Sequence, residues 1–355
     1  MKQSKFLNFA IAIIAAYFFI QGLYYLERFL VPVLYAGLLS MLFLPLCKFL
    51  ERNKFPRGIA IFICLLLIIV SISGVMTLFY LQISALGDDL PLFKEKALEK
   101  FQALEHLIET VTHVKAEQQT QWVKNNYSKG LSMGTDVIKG LLIGLSGGIE
   151  VFLIVIIYIV FFLLLRERFK VFILKLFSRE LHTNVAEVIK KTQNVTRHYM
   201  VGQLQVLLIM GILNWLGFMA LGIKQAFFWG MLRGLLNIIP YVGAVLGTVF
   251  PLLTVMTYKD GIIYPIGVVG VVLLTQLIQD NILVTKIIGS HIKINPLATI
   301  MVILAGGMLW GLNGMVLFLP LLGILKIICD NVEVLKPLGY LLGDDGNDDS
   351  DKVTK

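Results

Sequence analysis

Charge is scarce in this chain: Asp, Glu, Lys and Arg make up 15% of its 355 residues, against about 25% in a soluble domain. Cysteine is scarcer still. Cys47, Cys64 and Cys329 all fall in apolar stretches without ligand spacing, which argues against a disulfide framework or a cysteine metal site and for small packing residues. There is no His-Glu-x-x-His and no phosphate-cradling Gly-Lys-Ser, so metal hydrolysis and ATP-driven work have no sequence basis. No enzyme activity, cofactor or metal is expected. Gly144-Leu-Ser146-Gly-Gly148 matches the nucleophile-elbow pattern and the serine motif of intramembrane rhomboid proteases. An elbow needs a strand–turn–helix, and His106, His113, His182, His198 and His291 lie in polar or interfacial stretches, so a base at the serine's depth is missing. The net charge of +8 does not point to nucleic acid, because Lys and Arg flank hydrophobic segments instead of forming one patch.

What the chain has is long hydrophobic runs, with 57% of residues hydrophobic. A membrane-spanning helix needs roughly 20 mostly apolar residues. Segments 6–26, 29–50 (with Pro32 and Pro45 near its ends), 59–84 and 149–165 each approach or exceed that length. Residues 1–8 are short and basic, but no small-residue cleavage site follows the first run, so it reads as a retained helix. Between the third and fourth runs, residues 87–148 are polar. Leu92, Phe93, Leu98, Phe101, Leu104, Leu107, Ile108 and Val111 recur there at helical spacing, which predicts amphipathic helices. A second amphipathic stretch, 166–199, is markedly basic. The positive-inside rule puts the N-terminus, the Lys48–Arg57 loop and the 166–197 stretch in the cytoplasm, with 87–148 outside.

After residue 200 ordinary spans, 202–221 and 262–283, alternate with over-long apolar runs. The run 226–258 is interrupted by Pro240, Gly243, Gly247 and Pro251; the run 296–328 by Gly306, Gly307, Gly311, Gly314 and Pro320. Proline within a helix removes a hydrogen bond and clashes with the preceding turn, and broken backbone in a bilayer must be buried in protein or line a wet cavity. The expectation is an all-α integral membrane protein of about six to eight transmembrane segments, including two broken or re-entrant hairpins, with an amphipathic helical extracytoplasmic insertion. Residues 1–86 would form three helices and 87–148 the insertion. Residues 149–201 would form a fourth helix and a basic cytoplasmic helix, and 202–340 a transport unit of two span-plus-hairpin repeats. Residues 341–355 read as a disordered acidic tail, with both termini cytoplasmic. Whether the broken segments cross or re-enter stays open.

Asn237-Ile-Ile-Pro-Tyr-Val-Gly243 with Gly247 and Pro251, then Asp280-Asn281, Lys286-Ile-Ile-Gly289 and Asn295-Pro296, form an ordered series of motifs. Gly306-Gly307-Met-Leu-Trp-Gly311-Leu-Asn-Gly314, Pro320, Lys326 and Lys336-Pro-Leu-Gly339 complete it. The series resembles the AI-2E family of bacterial transporters, most strongly over residues 200–340. The resemblance implies a bacterial inner-membrane exporter of the quorum-sensing autoinducer-2 or a similar small polar metabolite. It also implies a homo-oligomer, with a pentamer suspected, while some relatives are assigned to sodium/proton exchange. Where many members carry proline shortly after the Asp-Asn pair, this chain reads Val284-Thr285-Lys286.

Arg233 is the most informative single residue, because a charge at membrane depth costs from about 3 to over 10 kcal/mol unless paired or hydrated. It either faces the solute path, holding an anionic or polyhydroxylated solute or a counter-carboxylate, or it snorkels to an interface. Asp280 either couples transport to H+ or Na+, or partners Arg233, or caps a helix end with Asn281. Gln276 shares its helical face. Gln203, Asn214, Asn237 and Asn313 either bind solute or hydrogen-bond between helices. Gly243/Gly247 and Gly307/Gly311 read as close-packing pairs. The readings in play are a gradient-driven exporter, a cation/proton antiporter, a structural membrane protein organised through 87–148, and an intramembrane protease.

Overall fold

The computed structural model describes residues 2–77, 80, 81, 148, 150–239, 242–288 and 294–344. The amphipathic insertion, Ser146, Pro240 and residues 345–355 lie outside them. The described residues are helical, with no strand among them. The helices are α1 (Lys2–Tyr25), α2 (Glu27–Arg52), α3 (Arg57–Thr77), α4 (Glu150–Leu164), α5 (Arg166–Lys175), α6 (His182–Ala220) and α7 (Ala226–Leu236). They continue with α8 (Val242–Tyr258), α9 (Ile263–Ile278), α10 (Pro296–Asn331) and α11 (Lys336–Leu342). Among the described residues, five helices are long and apolar enough to cross a membrane: α2, α3, α6, α9 with its extension, and α10. This is an all-α integral membrane protein.

Two sequence expectations shift. The basic stretch is not a helix apart from the fifth span. From His182 on it continues into α6, 39 residues long, because no proline interrupts it. At about 58 Å it is roughly twice the hydrocarbon thickness, so part of it projects beyond the bilayer. Likewise α11 extends to Leu342, two residues into the segment read as tail.

The chain divides into two compact units: Met1–Leu65, Val151–Gln203 and Lys286–Lys355 in one, Leu66–Glu150 and Leu204–Thr285 in the other. In the first unit α10 doubles back on itself. Trp310 and Gly311 leave helical geometry, and Gly311 takes φ +54° with ψ −133°, a conformation that glycine alone adopts readily. The reversal is visible in contacts eight residues apart, a separation of about 12 Å in a straight helix. Gly306 lies back-to-back with Gly314, so that a methyl on Gly306 would come 2.6 Å from the Gly314 carbonyl oxygen. Trp310 and Phe318 stack edge-to-face at 5.2 Å. Trp310 caps the turn by donating to the Leu23 carbonyl at 3.0 Å, and with Leu317, Val31 and Leu38 it forms a buried core.

Both ends of this hairpin are held. Asn295 accepts from the Ala298 amide at 2.7 Å, capping α10, and donates to the Leu341 carbonyl at 2.6 Å, while Gly339 packs on Asp330. Elsewhere in the same unit Arg166 pairs with Glu51 at 2.5 Å, and Arg57 donates to the Leu163 carbonyl at 2.7 Å. These contacts hold the α2–α3 loop against the α4–α5 junction.

Pro320 and Pro251 do not break their helices. Each is buried inside a continuous helical arm. One missing N–H leaves the remaining hydrogen bonds of the arm intact, and neighbouring helices absorb the local distortion. Gly307/Gly311 is likewise not a packing pair. Gly307 packs against Met315, while Gly311 is the turn itself.

Gly306→Ala and Gly314→Ala are expected to destabilise the protein by about 1–3 kcal/mol, the usual range for forcing carbon into a filled seam. Gly270→Ala, at a position open on all sides, should leave stability unchanged or slightly raised. Thermal unfolding of the purified variants in one detergent checks this contrast.

Candidate functional site

The second unit places Arg233. Its pairings fix a register. Gly217 packs on Val271, Gly267 on Leu221, and the Thr275 hydroxyl donates to Asn214 Oδ1 at 3.1 Å, so α6 and α9 run antiparallel. Gly230 packs on the Trp215 backbone and Gly234 against Leu207 and Gly211, so α7 runs back alongside α6. Gly243 packs on Leu236 and Asn237, and Gly247 on Arg233, so α8 returns along α7. The α7–α8 pair is therefore a helical hairpin that enters and leaves at the end where α6 stops and α9 begins. Its arms of 11 and 17 residues measure about 16 and 26 Å, short of a hydrocarbon core of about 30 Å. An aromatic core of Phe218, Trp229 and Phe250 supports it, with Trp229 and Phe250 stacked 5.9 Å apart.

At the open end of the hairpin, Lys224 lies over the Tyr258 ring and Lys259 over the Tyr264 ring, an arrangement suited to a membrane interface. Arg233 is far from that end. Its neighbour Gly234 sits on Gly211, nine residues before Ala220, which is about 14 Å along α6 and so near mid-bilayer. Arg233 is 3% exposed. Its side chain crosses the α7–α8 seam over Gly247, where an added methyl would come 2.7 Å from Arg233 Cγ. The guanidinium donates to the Thr248 hydroxyl at 3.2 Å and to the Ala244 carbonyl at 3.5 Å. Its Nε is buried with no hydrogen-bond partner among the described residues. Arg233 is thus held between two helices, and it does not snorkel.

One turn deeper, the hairpin tip is pinned: Asn237 Nδ2 donates to Gln279 Oε1 at 2.7 Å. Gln279 opens a stretch where α9 widens into π-helical turns, Gln279–Ile288, a geometry often found at functional sites. Asp280 and Asn281 lie in these turns. Gln276 donates to both oxygens of Asp280 at 3.1 and 3.2 Å, and Asn281 donates to the Leu277 carbonyl at 2.9 Å. The absence of proline at Val284-Thr285-Lys286 leaves the backbone N–H groups needed to carry these turns to Ile288.

The structure therefore brings Arg233, Asn237 and the Gln276–Asn281 segment into one unit. Gln203 and Asn313 belong to the other unit, Gln203 half-buried on α6 and Asn313 exposed beside the Gly311 turn. Asn214 is fully buried, with its amide donating to the Met210 carbonyl at 2.7 Å and its oxygen accepting from Thr275, which makes it an interhelical tie.

A family model described as "AI-2E family transporter" matches residues 9–333. The chain belongs to the AI-2E family. Among its relatives, the "AI-2 transport protein TqsA" of Escherichia coli K12 is 26% identical over 326 residues, covering 91% of this chain and 92% of the relative. The "Putative transport protein YrrI" of Bacillus subtilis 168 is 25% identical over 311 residues, covering 85% and 86%. YhhT of Escherichia coli K12, also a "Putative transport protein", is 24% identical over 323 residues, covering 91% and 90%. This AI-2E member is accordingly a transporter.

Sequence reasoning missed Thr248 and the Asn237 partnership of Gln279. Thr248 carries no signal of its own beyond lying one residue after Gly247. Gln279 is one of a pair of glutamines before Asp280, and only the hairpin register decides which of them meets the tip. A double-mutant cycle with Asn237→Leu and Gln279→Leu is expected to give a coupling of about 0.6–1.7 kcal/mol, the range for hydrogen bonds between membrane helices. Unfolding of the four proteins in mixed micelles measures it.

Proposed function

We propose that this transporter exports autoinducer-2 or a similar small polar metabolite across the bacterial inner membrane, driven by a gradient, with Arg233 in the α7–α8 seam as the principal solute-binding residue. The observation that carries the reading is Arg233 itself: a guanidinium near mid-bilayer depth, on the arm of a short hairpin, with Nε unsatisfied. Substrate sites near the midplane formed by discontinuous helices are a general device of secondary transporters. The name of the Escherichia coli relative supplies the solute. Asn237, Gln276 and Asn281 supply neutral hydrogen-bonding groups from the same unit as Arg233, and Gln203 and Asn313 are solute-binding candidates of the first unit. Asp280, in the π-helical turns, is the candidate for H+ or Na+ coupling. The chain works as a homo-oligomer in the lipid bilayer, with both termini cytoplasmic.

Counterflow of labelled autoinducer-2 in proteoliposomes, with and without an imposed pH gradient, tests this. Arg233→Ala is expected to lower the initial rate at least about tenfold, the loss of one charge-assisted contact. Asp280→Asn should keep counterflow but lose the response to the gradient. No flux above empty liposomes, together with sodium-dependent collapse of the pH gradient, would make the protein a cation/proton antiporter instead.

A further inference from the structure

Arg233 carries a charge that its described surroundings do not neutralise. Its hydrogen-bond partners are a hydroxyl and a backbone carbonyl, both neutral. No carboxylate stands within ion-pairing distance of it among the described residues. The carboxylate of Asp280 takes its described hydrogen bonds from Gln276. The nearest other cations of this hairpin, Lys224 and Lys259, sit on tyrosine rings at its open end. Arg233 also does not reach that end, because its stem is laid across Gly247.

A lone cation in a low-dielectric seam is disfavoured, and arrival of one opposite charge relieves it more than any neutral hydrogen-bonding group does. A planar guanidinium with an unused Nε–H also presents the paired donors that a carboxylate accepts side by side.

We propose that the solute held at Arg233 is a small monoanion of the monocarboxylate type, which enters as the counter-ion of the seam. The proposal rests on reading this seam as the solute site, and it narrows a small polar metabolite to a singly charged one. A dianion would bring one charge too many to a single guanidinium. A neutral polyol would leave the guanidinium uncompensated. Thr248 and the Ala244 carbonyl then act as positioning groups, aiming the guanidinium across the seam.

The test is thermal unfolding of the full-length protein in detergent, with sodium sulfate, a dianion, as background salt and lactate exchanged for part of it at constant ionic strength. Lactamide serves as the neutral analogue. Wild type is expected to gain about 2–4 °C in Tm with 20 mM lactate, as a ligand selective for the folded state requires, and nothing with lactamide. Arg233→Lys should keep part of the rise and Arg233→Gln should lose it. A rise that is equal in wild type and Arg233→Gln is a general salt effect and overturns the proposal. So does a wild type that responds to neither ligand, or equally to both. The wild-type comparison alone decides the matter if Arg233→Gln does not fold. The readout is independent of export: absent autoinducer-2 counterflow with an intact lactate response sinks only the solute named above, and the converse sinks only the anion.

Discussion

Hydrocarbon offers no partner to a backbone N–H or C=O, so every turn of chain inside the bilayer must find its own. That constraint shapes both hairpins of this protein. At Trp310–Gly311 the helix reverses, and the structure answers with a Trp310 bond to the Leu23 carbonyl and with a glycine able to take the turn geometry. At the other tip, Asn237 closes the α7 end and bonds Gln279. Apolar burial gives little net drive between helices already surrounded by lipid, so close approach and van der Waals contact must do more. Gly230, Gly234, Gly243, Gly306 and Gly314 therefore lie where backbone meets backbone, and Gly247 where it meets the stem of Arg233.

The same economy of volume produces the α7–α8 seam. Gly247 is the space in which the Arg233 stem lies, and Gly234 lets the next residue of α7 press against α6. A charge is thereby fixed at depth by packing, with Thr248 and Ala244 setting its direction. A flexible arginine on a single crossing helix would reach for water. On a short arm wedged between two helices it has no such route.

Much of this was legible in the sequence. The spans followed from run length, and the two interrupted runs from clusters of proline and glycine that a straight helix does not tolerate well. Arg233 stood out because charge is so rare in its surroundings. Three things were not legible. Pro251 and Pro320 looked like breaks but are absorbed within arms, since a proline disturbs one turn, whereas the reversal in α10 is made at Gly311 with its positive φ. The length of α6 was hidden by its change of composition from basic to apolar, although helical hydrogen bonding is indifferent to that change. The Asn237–Gln279 bond depends on register between α7 and α9, which a single sequence does not encode locally.

The α7–α8 hairpin has both of its connections at one end, where α6 stops and α9 starts. It is built like a stopper on a tether, in contrast to a post fixed at both faces. It is able to rise or tilt without drawing any polar loop through hydrocarbon. Among the described residues, that movement is resisted by the glycine seams along its sides, the aromatic core of Phe218, Trp229 and Phe250, and the Asn237–Gln279 hydrogen bond at its tip. A hairpin tethered in this way shifts against short-range contacts alone, with no covalent anchor at its far end.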